Sequence, residues 1–275
     1  MRGVCSGYFE EFAKLVYLYF YIVEIIILDN FINTKVELTG IIMRFEQFRE
    51  VLEKQQIVVF SLKDACRIIG KQEGYGRLFL SRLARQGKII RIERGKYCLP
   101  GKDEYAIASN LVFPSYISFF SALAFHHLTT QIPVVLQIAC MKQKKTIFFR
   151  NFRIEFIKLK KNAFLGFRRY GDAFVAEPEK AIIDSLYLPE KILISEIYAV
   201  LKQNPLDLRK LKDYAERMGS SVLKRRLGHL LDISSLKQNT DLEMKSTRYL
   251  PLNPLLPMRG LKAKKWMLLI NEVLA

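Results

Sequence analysis

Cysteine and histidine are scarce in this sequence, and neither is arranged as a metal site. The 275 residues include four cysteines and three histidines. The cysteines are isolated, with no CxxC pair, and the adjacent His126 and His127 point to different faces of a helix. Structural zinc sites and disulfide frameworks both need more regular ligand or cysteine spacings. The sequence therefore predicts no metal and no disulfide framework, and it favours a reducing, cytoplasmic location.

A hydrophobic run long enough to cross a membrane is also missing. The most apolar stretch, residues 15–28, is shorter than the roughly 20 residues of a spanning helix and contains Glu24. No signal-peptide cleavage site follows it. It could be a marginal anchor of a membrane-tethered regulator, an amphipathic helix that binds a partner, or translated sequence upstream of the true start. Because residue types encoded by AT-rich codons dominate, we expect residues 1–42 to be a non-native apolar extension and the working protein to begin at Met43.

Acidic residues are too few to balance the basic ones. The chain has 27 Asp and Glu against 44 Lys and Arg, which gives a formal net charge of +17. Half of the composition is hydrophobic, so the chain can bury a core and is not a disordered basic tail. This balance favours a polyanionic partner such as DNA, RNA or an acidic membrane surface, over a protein that is merely rich in lysine.

Residues 43–101 show the pattern of three helices followed by a hairpin. An apolar stripe at helical spacing follows Met43, and SLKDACRIIG, from Ser61 to Gly70, has the start and stop signals of a second helix. KQEGYG predicts a turn, and YGRLFLSRLARQG predicts a third helix. GKIIRIERGKYCLPG alternates as two strands joined at residues 94–95. Three helices and a hairpin predict a winged helix-turn-helix.

The cations of this segment fall where such a fold contacts DNA. Arg77, Ser81 and Arg85 recur every four residues, so they share an outward helical stripe. We expect this stripe to enter the major groove and the hairpin to hold phosphates or the minor groove. The predicted DNA-binding residues are Arg77, Ser81, Arg82, Arg85, Lys88, Arg91, Arg94 and Lys96.

Residues 110–275 predict a second domain of mixed α/β structure that ends in a helical region. An apolar helix is expected behind Pro114 with Ser115 as its cap, and the runs VVLQIAC and TIFFRNFRIEFIKL predict strands. A strand and helix follow in AFVAEPEKAIIDSLYLP, and three further helices come after it. The proline-rich tail predicts a strand-like segment around Trp266. The whole chain is therefore expected to be an α+β protein of two domains.

Three carboxylates and a cluster of cations in this second domain have two interpretations each. Glu177, Glu179 and Asp184 could do acid–base work, as in phosphoryl or nucleotidyl transfer, or could simply stabilise a helix start. The cations could form a second nucleic-acid surface or a docking face for an acidic partner. These cations are Arg209, Lys210, Lys212, Arg217, Lys224, Arg225 and Arg226.

Several segments, in order, resemble AbiEi-type abortive-infection antitoxins. They are the hairpin closing on RGKYCLP, then FPSYISFFSALAFHHLTTQIP, AEPEKAIIDSLYLP, KLKDYAERMGSSVLKRRLGHLLD and the late KKW, within residues 44–270. The resemblance implies a repressor that binds inverted repeats in its own promoter, here double-stranded DNA. It also implies a C-terminal domain that neutralises a co-encoded nucleotidyltransferase-like toxin in a type IV system, where stable toxin binding is not required. No catalytic residue, cofactor or membrane partner is expected.

Overall fold

The computed structural model describes residues 43–234 and 248–274. The predicted N-terminal extension, residues 1–42, and with it the apolar run 15–28, lie outside the described residues. Within the described ranges, no helix combines the length and the apolar character that crossing a bilayer would require.

The first part of the described chain is a small helical unit with a three-stranded sheet. Its central strand, β3, pairs antiparallel with both β1 and β2. The hairpin between β2 and β3 turns at Arg94 and Gly95, and Gly95 has a φ of 78°, which glycine adopts without strain. The elements are α1 (Phe45–Lys54), β1 (Val59–Ser61), α2 (Leu62–Ile69), α3 (Glu73–Arg85), β2 (Ile90–Glu93) and β3 (Lys96–Cys98).

The second part is built on a mixed six-stranded sheet with the order β6-β7-β5-β4-β9-β8. β5 pairs parallel with β7, β4 pairs parallel with β9, and the other pairs are antiparallel. The central strands are almost entirely buried and lie in the core. The elements up to this sheet's last strand are α4 (Glu104–Asn110), β4 (Ser115–Ile117), α5 (Phe119–Phe125), β5 (Val135–Cys140), β6 (Ile147–Phe149), β7 (Phe152–Lys158), β8 (Phe167–Tyr170) and β9 (Ala173–Ala176).

Helices and a small second sheet follow the six-stranded sheet. Helix α6 packs against α5, α8 and α9, and its residues 179–186 are all buried. The last strands form a sheet of order β10-β12-β11. These elements are α6 (Pro178–Tyr187), α7 (Ile194–Gln203), α8 (Leu208–Met218), α9 (Ser221–Ile233), β10 (Leu250–Pro251), β11 (Leu261–Ala263) and β12 (Leu268–Ile270). The mixed α/β architecture that the sequence predicts is therefore observed.

Three local predictions were wrong. Ser115 does not cap a helix, because it begins strand β4, and Ser118 precedes α5 instead. The turn predicted over residues 71–76 is shorter than expected, because α3 already begins at Glu73. Trp266 lies in a short 3₁₀ helix between two strands rather than in a strand. In the first two cases the signal was a serine or a glycine-containing stretch. Such a local signal does not record where packing against the rest of the chain places the start of a helix.

The two parts share one hydrophobic core. Val58, Ile92 and Cys98, from the first part, belong to the same buried cluster as the apolar residues of the six-stranded sheet. The described residues from Phe45 onward accordingly group as one compact unit. Separating the chain near residue 101 would expose this shared apolar surface to water.

Candidate nucleic-acid interface

Helix α2 begins and ends as its sequence predicts. The Ser61 backbone N–H donates to the Asp64 carboxylate at 2.7 Å, and the Asp64 N–H donates to the Ser61 hydroxyl at 3.3 Å. This reciprocal capping satisfies backbone donors that the first turn leaves unpaired. Gly70 ends the helix with a φ of 64°. The cap and the stop fix where the chain turns into α3.

A glycine inside α3 allows that helix to lie close against α2. Gly76 is buried, and a Cβ atom added there would overlap the Sγ atom of Cys66 and reach Leu62 at 3.1 Å. Gly74, in the preceding part of the same helix, has no neighbour within 4 Å. The close approach at Gly76 therefore sets the packing of α3 on α2.

Helix α3 buries one side and exposes the other. Leu80 and Leu83 are 1% and 5% exposed, and Phe79 packs edge-on against Phe48 of α1. On the opposite side, Arg77, Ser81 and Arg85 face solvent. The predicted amphipathic arrangement of the third helix is confirmed, and it fixes the direction of the basic stripe.

The basic stripe of α3 and the hairpin form the two walls of an open groove. The groove has a volume of about 590 Å³. We call it the helix–hairpin groove. It is lined by Leu62, Arg77, Ser81, Ala84, Arg85, Arg91, Arg94, Gly95 and Tyr97.

Five of the eight residues predicted to bind DNA line this groove, and three do not. Arg82 is exposed beside it, and Lys96 is half-buried on β3. Lys88 lies with its ammonium group 5.1 Å from the centre of the Phe45 ring, which places it against α1. Sequence reasoning missed Tyr97, whose ring stacks on Phe60. The alternation of β3 was the available signal, because it places Tyr97 on the opposite face from the buried Cys98.

The groove carries positive charge that is only partly neutralised. Arg77 forms an ion pair with Glu73 at 3.0 Å, and both side chains are more than half exposed. Within residues 43–234 and 248–274, the structure shows no ion pair for Arg85, Arg91 or Arg94. Guanidinium groups at such positions can donate in pairs to base edges or to phosphate oxygens.

The prediction of a second basic surface is wrong for two of its seven residues. Arg225 and Arg226 are only 3% and 6% exposed. Arg226 donates to the carbonyl oxygens of Leu252 and Leu186 at 2.9 and 3.1 Å, and burial lowers its pKa to about 10. Arg225 donates to the carbonyl of Arg248 at 3.0 Å. These two arginines hold the small C-terminal sheet and α6 onto α9, so they offer no surface to a ligand.

Other cations of that prediction lie around a second, shallower groove, which centres on a buried carboxylate. Glu177 accepts hydrogen bonds from Lys210 and Tyr214, each at 2.8 Å, and forms an ion pair with Arg168. Burial alone would raise the pKa of Glu177, but these three partners outweigh it and hold the pKa below its usual range. Arg209 and Arg217 complete the basic lining. Lys212 and Lys224 are half-buried, and Lys224 pairs with Glu216.

The three carboxylates considered for catalysis do not converge on one open site. Asp184 is fully buried, where it pairs with Lys180 and accepts a hydrogen bond from Ser118 at 2.7 Å. Glu179 accepts from the backbone N–H of Asp207 at 2.9 Å. Each carboxylate, Glu177 included, therefore supports the packing of α6. His126 is half-buried with its ring nitrogen 2.7 Å from the backbone carbonyl oxygen of Ala176, and burial lowers its pKa.

Comparisons with known proteins match a segment of the chain by sequence and most of the chain by fold. Residues 47–100 match the family model described as "Transcriptional regulator, AbiEi antitoxin". A comparison with curated proteins gave no match. The crystal structure of the RV2827C protein from Mycobacterium tuberculosis is similar with a TM-score of 0.53 and 14% identity, covering 81% of this chain and 89% of that one. At that identity the likeness concerns the fold.

The family match spans α1 to β3, which are the elements that build the helix–hairpin groove. The resemblance to AbiEi-type antitoxins that the sequence indicates is confirmed over these residues.

Proposed function

We propose that this protein is a DNA-binding transcriptional autorepressor and antitoxin of a type IV toxin–antitoxin system of the abortive-infection, phage-defence kind. The family match supports the coarser reading of a transcriptional regulator and antitoxin. The observation that carries DNA binding is the helix–hairpin groove, where arginines from α3 and from the hairpin face one another. In this proposal α1–α3 and the β2–β3 hairpin act as a winged helix-turn-helix in the cytoplasm.

Each wall of the groove has its own role in this proposal. Helix α3 enters the major groove of the promoter DNA, where Arg77, Ser81 and Arg85 reach base edges. Arg91 and Arg94 of the hairpin bind the flanking phosphates or the minor groove. Arg82, Lys88 and Lys96 lie outside the groove lining and contribute to the positive field around it.

Titration of the promoter with single variants tests DNA binding. Arg85→Ala should weaken binding by roughly 1–3 kcal/mol and relax sequence preference at one position, whereas Arg94→Ala should weaken binding to all sequences alike. Arg49→Ala serves as the control, since Arg49 is an exposed α1 arginine outside the groove. Unchanged affinity in both groove variants would refute the assignment.

We propose that the antitoxin role against a nucleotidyltransferase-like toxin lies in residues 110–275. Because the two parts share a core, point variants of the full chain test this better than truncation. A chain with both Arg85→Ala and Arg94→Ala should lose promoter repression and still rescue cells that express the toxin. Loss of rescue together with repression would mean that antitoxicity is repression alone.

A further inference from the structure

An ion pair links the hairpin of the groove to the second part of the chain. The ammonium group of Lys144, in the loop between β5 and β6, lies 2.7 Å from both carboxylate oxygens of Glu93. Glu93 is the last residue of β2 and directly precedes the Arg94–Gly95 turn. Both side chains are about one-fifth exposed, at 21% and 23%. Such partly desolvated, charge-assisted hydrogen bonds are stronger than exposed surface pairs.

Lys144 is itself held from the core side. Its ammonium group lies 5.3 Å from the centre of the Phe156 ring, and Phe156 is a buried residue of β7. Two positions earlier in the same loop, the carbonyl oxygen of Lys142 accepts a hydrogen bond from the thiol of buried Cys140 at 3.1 Å. The loop therefore fixes the lysine relative to the six-stranded sheet.

Glu93, which Lys144 holds in place, in turn contacts an arginine of the groove. Its backbone carbonyl oxygen accepts a hydrogen bond from the Arg91 guanidinium at 3.3 Å, and the strand pairing shifts register between residues 91 and 93. An irregular strand pairing bends the strand and re-aims its side chains. The direction of Arg91 and the placement of Arg94 thus both depend on where Glu93 is held.

We propose that Lys144 is a positioning residue for DNA binding: it orients the hairpin of the groove through Glu93 without touching DNA. This inference rests on the proposed DNA binding. It makes the second part of the chain a structural determinant of operator affinity.

Glu93→Gln separates positioning from simple electrostatics, because the two predict opposite signs. Removing a carboxylate near DNA would tighten binding if only charge mattered. If Lys144 positions the hairpin through Glu93, the variant should instead bind about tenfold more weakly, the order expected for one charge-assisted hydrogen bond. Lys144→Met should lose a similar factor, and the double variant should bind no more weakly than either single variant.

Salt dependence and a matched ion pair complete the experiment. Both single variants should keep the wild-type slope of log affinity against log salt, because the hairpin arginines still reach their phosphates in the complex and only the free-energy cost of placing the hairpin rises. Loss of a direct phosphate contact would instead lower that slope by about 0.9. Lys191→Met is the control, because Lys191 pairs with Glu155 at 2.9 Å with exposures of 26% and 20%, away from the hairpin. In urea unfolding, Lys191→Met should lower the free energy of unfolding about as much as Lys144→Met does, and it should leave DNA affinity unchanged.

The outcomes that overturn the inference are distinct from those that overturn DNA binding. Unchanged or tighter binding by Glu93→Gln, a lowered salt slope in Lys144→Met, or equal weakening by Lys191→Met would each contradict positioning by Lys144. If Arg85→Ala and Arg94→Ala also leave affinity unchanged, the proposed function itself fails. If Arg85→Ala weakens binding while Glu93→Gln does not, only the positioning role is wrong.

Discussion

Helices α3 and α9 both carry several basic residues, yet the structure uses their arginines in opposite ways. In α3 the arginines at positions 77 and 85 lie on an exposed side, opposite Leu80 and Leu83. In α9 the adjacent Arg225 and Arg226 are buried between α6 and the C-terminal sheet, where they donate to backbone carbonyls. A basic cluster indicates a binding surface only where the element has a free side, and α9 is covered on several sides.

The largest expected effect is on stability, and it contrasts a buried arginine of α9 with an exposed arginine elsewhere. Arg226→Ala should lower the free energy of unfolding by about 3 kcal/mol, because it leaves two buried carbonyl groups without their donor. Arg217→Ala, which removes an exposed arginine of α8, should change it by less than about 0.5 kcal/mol. Urea unfolding of both variants measures this. Equal and small effects would contradict a structural role for Arg226.

Two glycines of α3 provide a smaller and more local contrast. Gly76→Ala should destabilise the protein by about 1–3 kcal/mol, because its methyl group overlaps Cys66 and forces α2 and α3 apart. Gly74→Ala should stabilise the protein by up to about 1 kcal/mol, because that site is open and alanine favours the helix. Thermal unfolding compares them. Destabilisation by both would mean that helix packing at Gly76 is not the cause.

The smallest expected effect concerns pH. The lowered pKa of Glu177 means that its partners stabilise the fold at pH values above about 4.3, the ordinary value for Glu, and that this stabilisation is lost as pH falls through the folded-state pKa. Glu177→Gln should therefore unfold with a shallower pH dependence below about pH 5. Glu46→Gln, at an exposed position in α1, should retain the wild-type profile. An unchanged profile in Glu177→Gln would contradict the role given to its ion pairs.

The sequence predicted the parts of the groove that depend on local rules. Capping at Ser61, the stop at Gly70 and the spacing of Arg77, Ser81 and Arg85 are all short-range signals, and the structure shows each of them. The burial of Arg225 and the Lys144–Glu93 pair depend instead on segments far apart in the chain. No periodicity in one segment records what another segment will cover.

The salt dependence of promoter binding tests most directly whether the helix–hairpin groove is the DNA-binding surface. In a chain with both Arg91→Ala and Arg94→Ala, the slope of log affinity against log salt should be smaller in magnitude by about 1.8. Two phosphate contacts are lost, so binding releases fewer counterions. The matched double variant Arg49→Ala and Lys54→Ala, which removes two exposed α1 cations outside the groove, should keep the wild-type slope. An unchanged slope in the hairpin variant, or an equal loss in the α1 variant, would contradict the account.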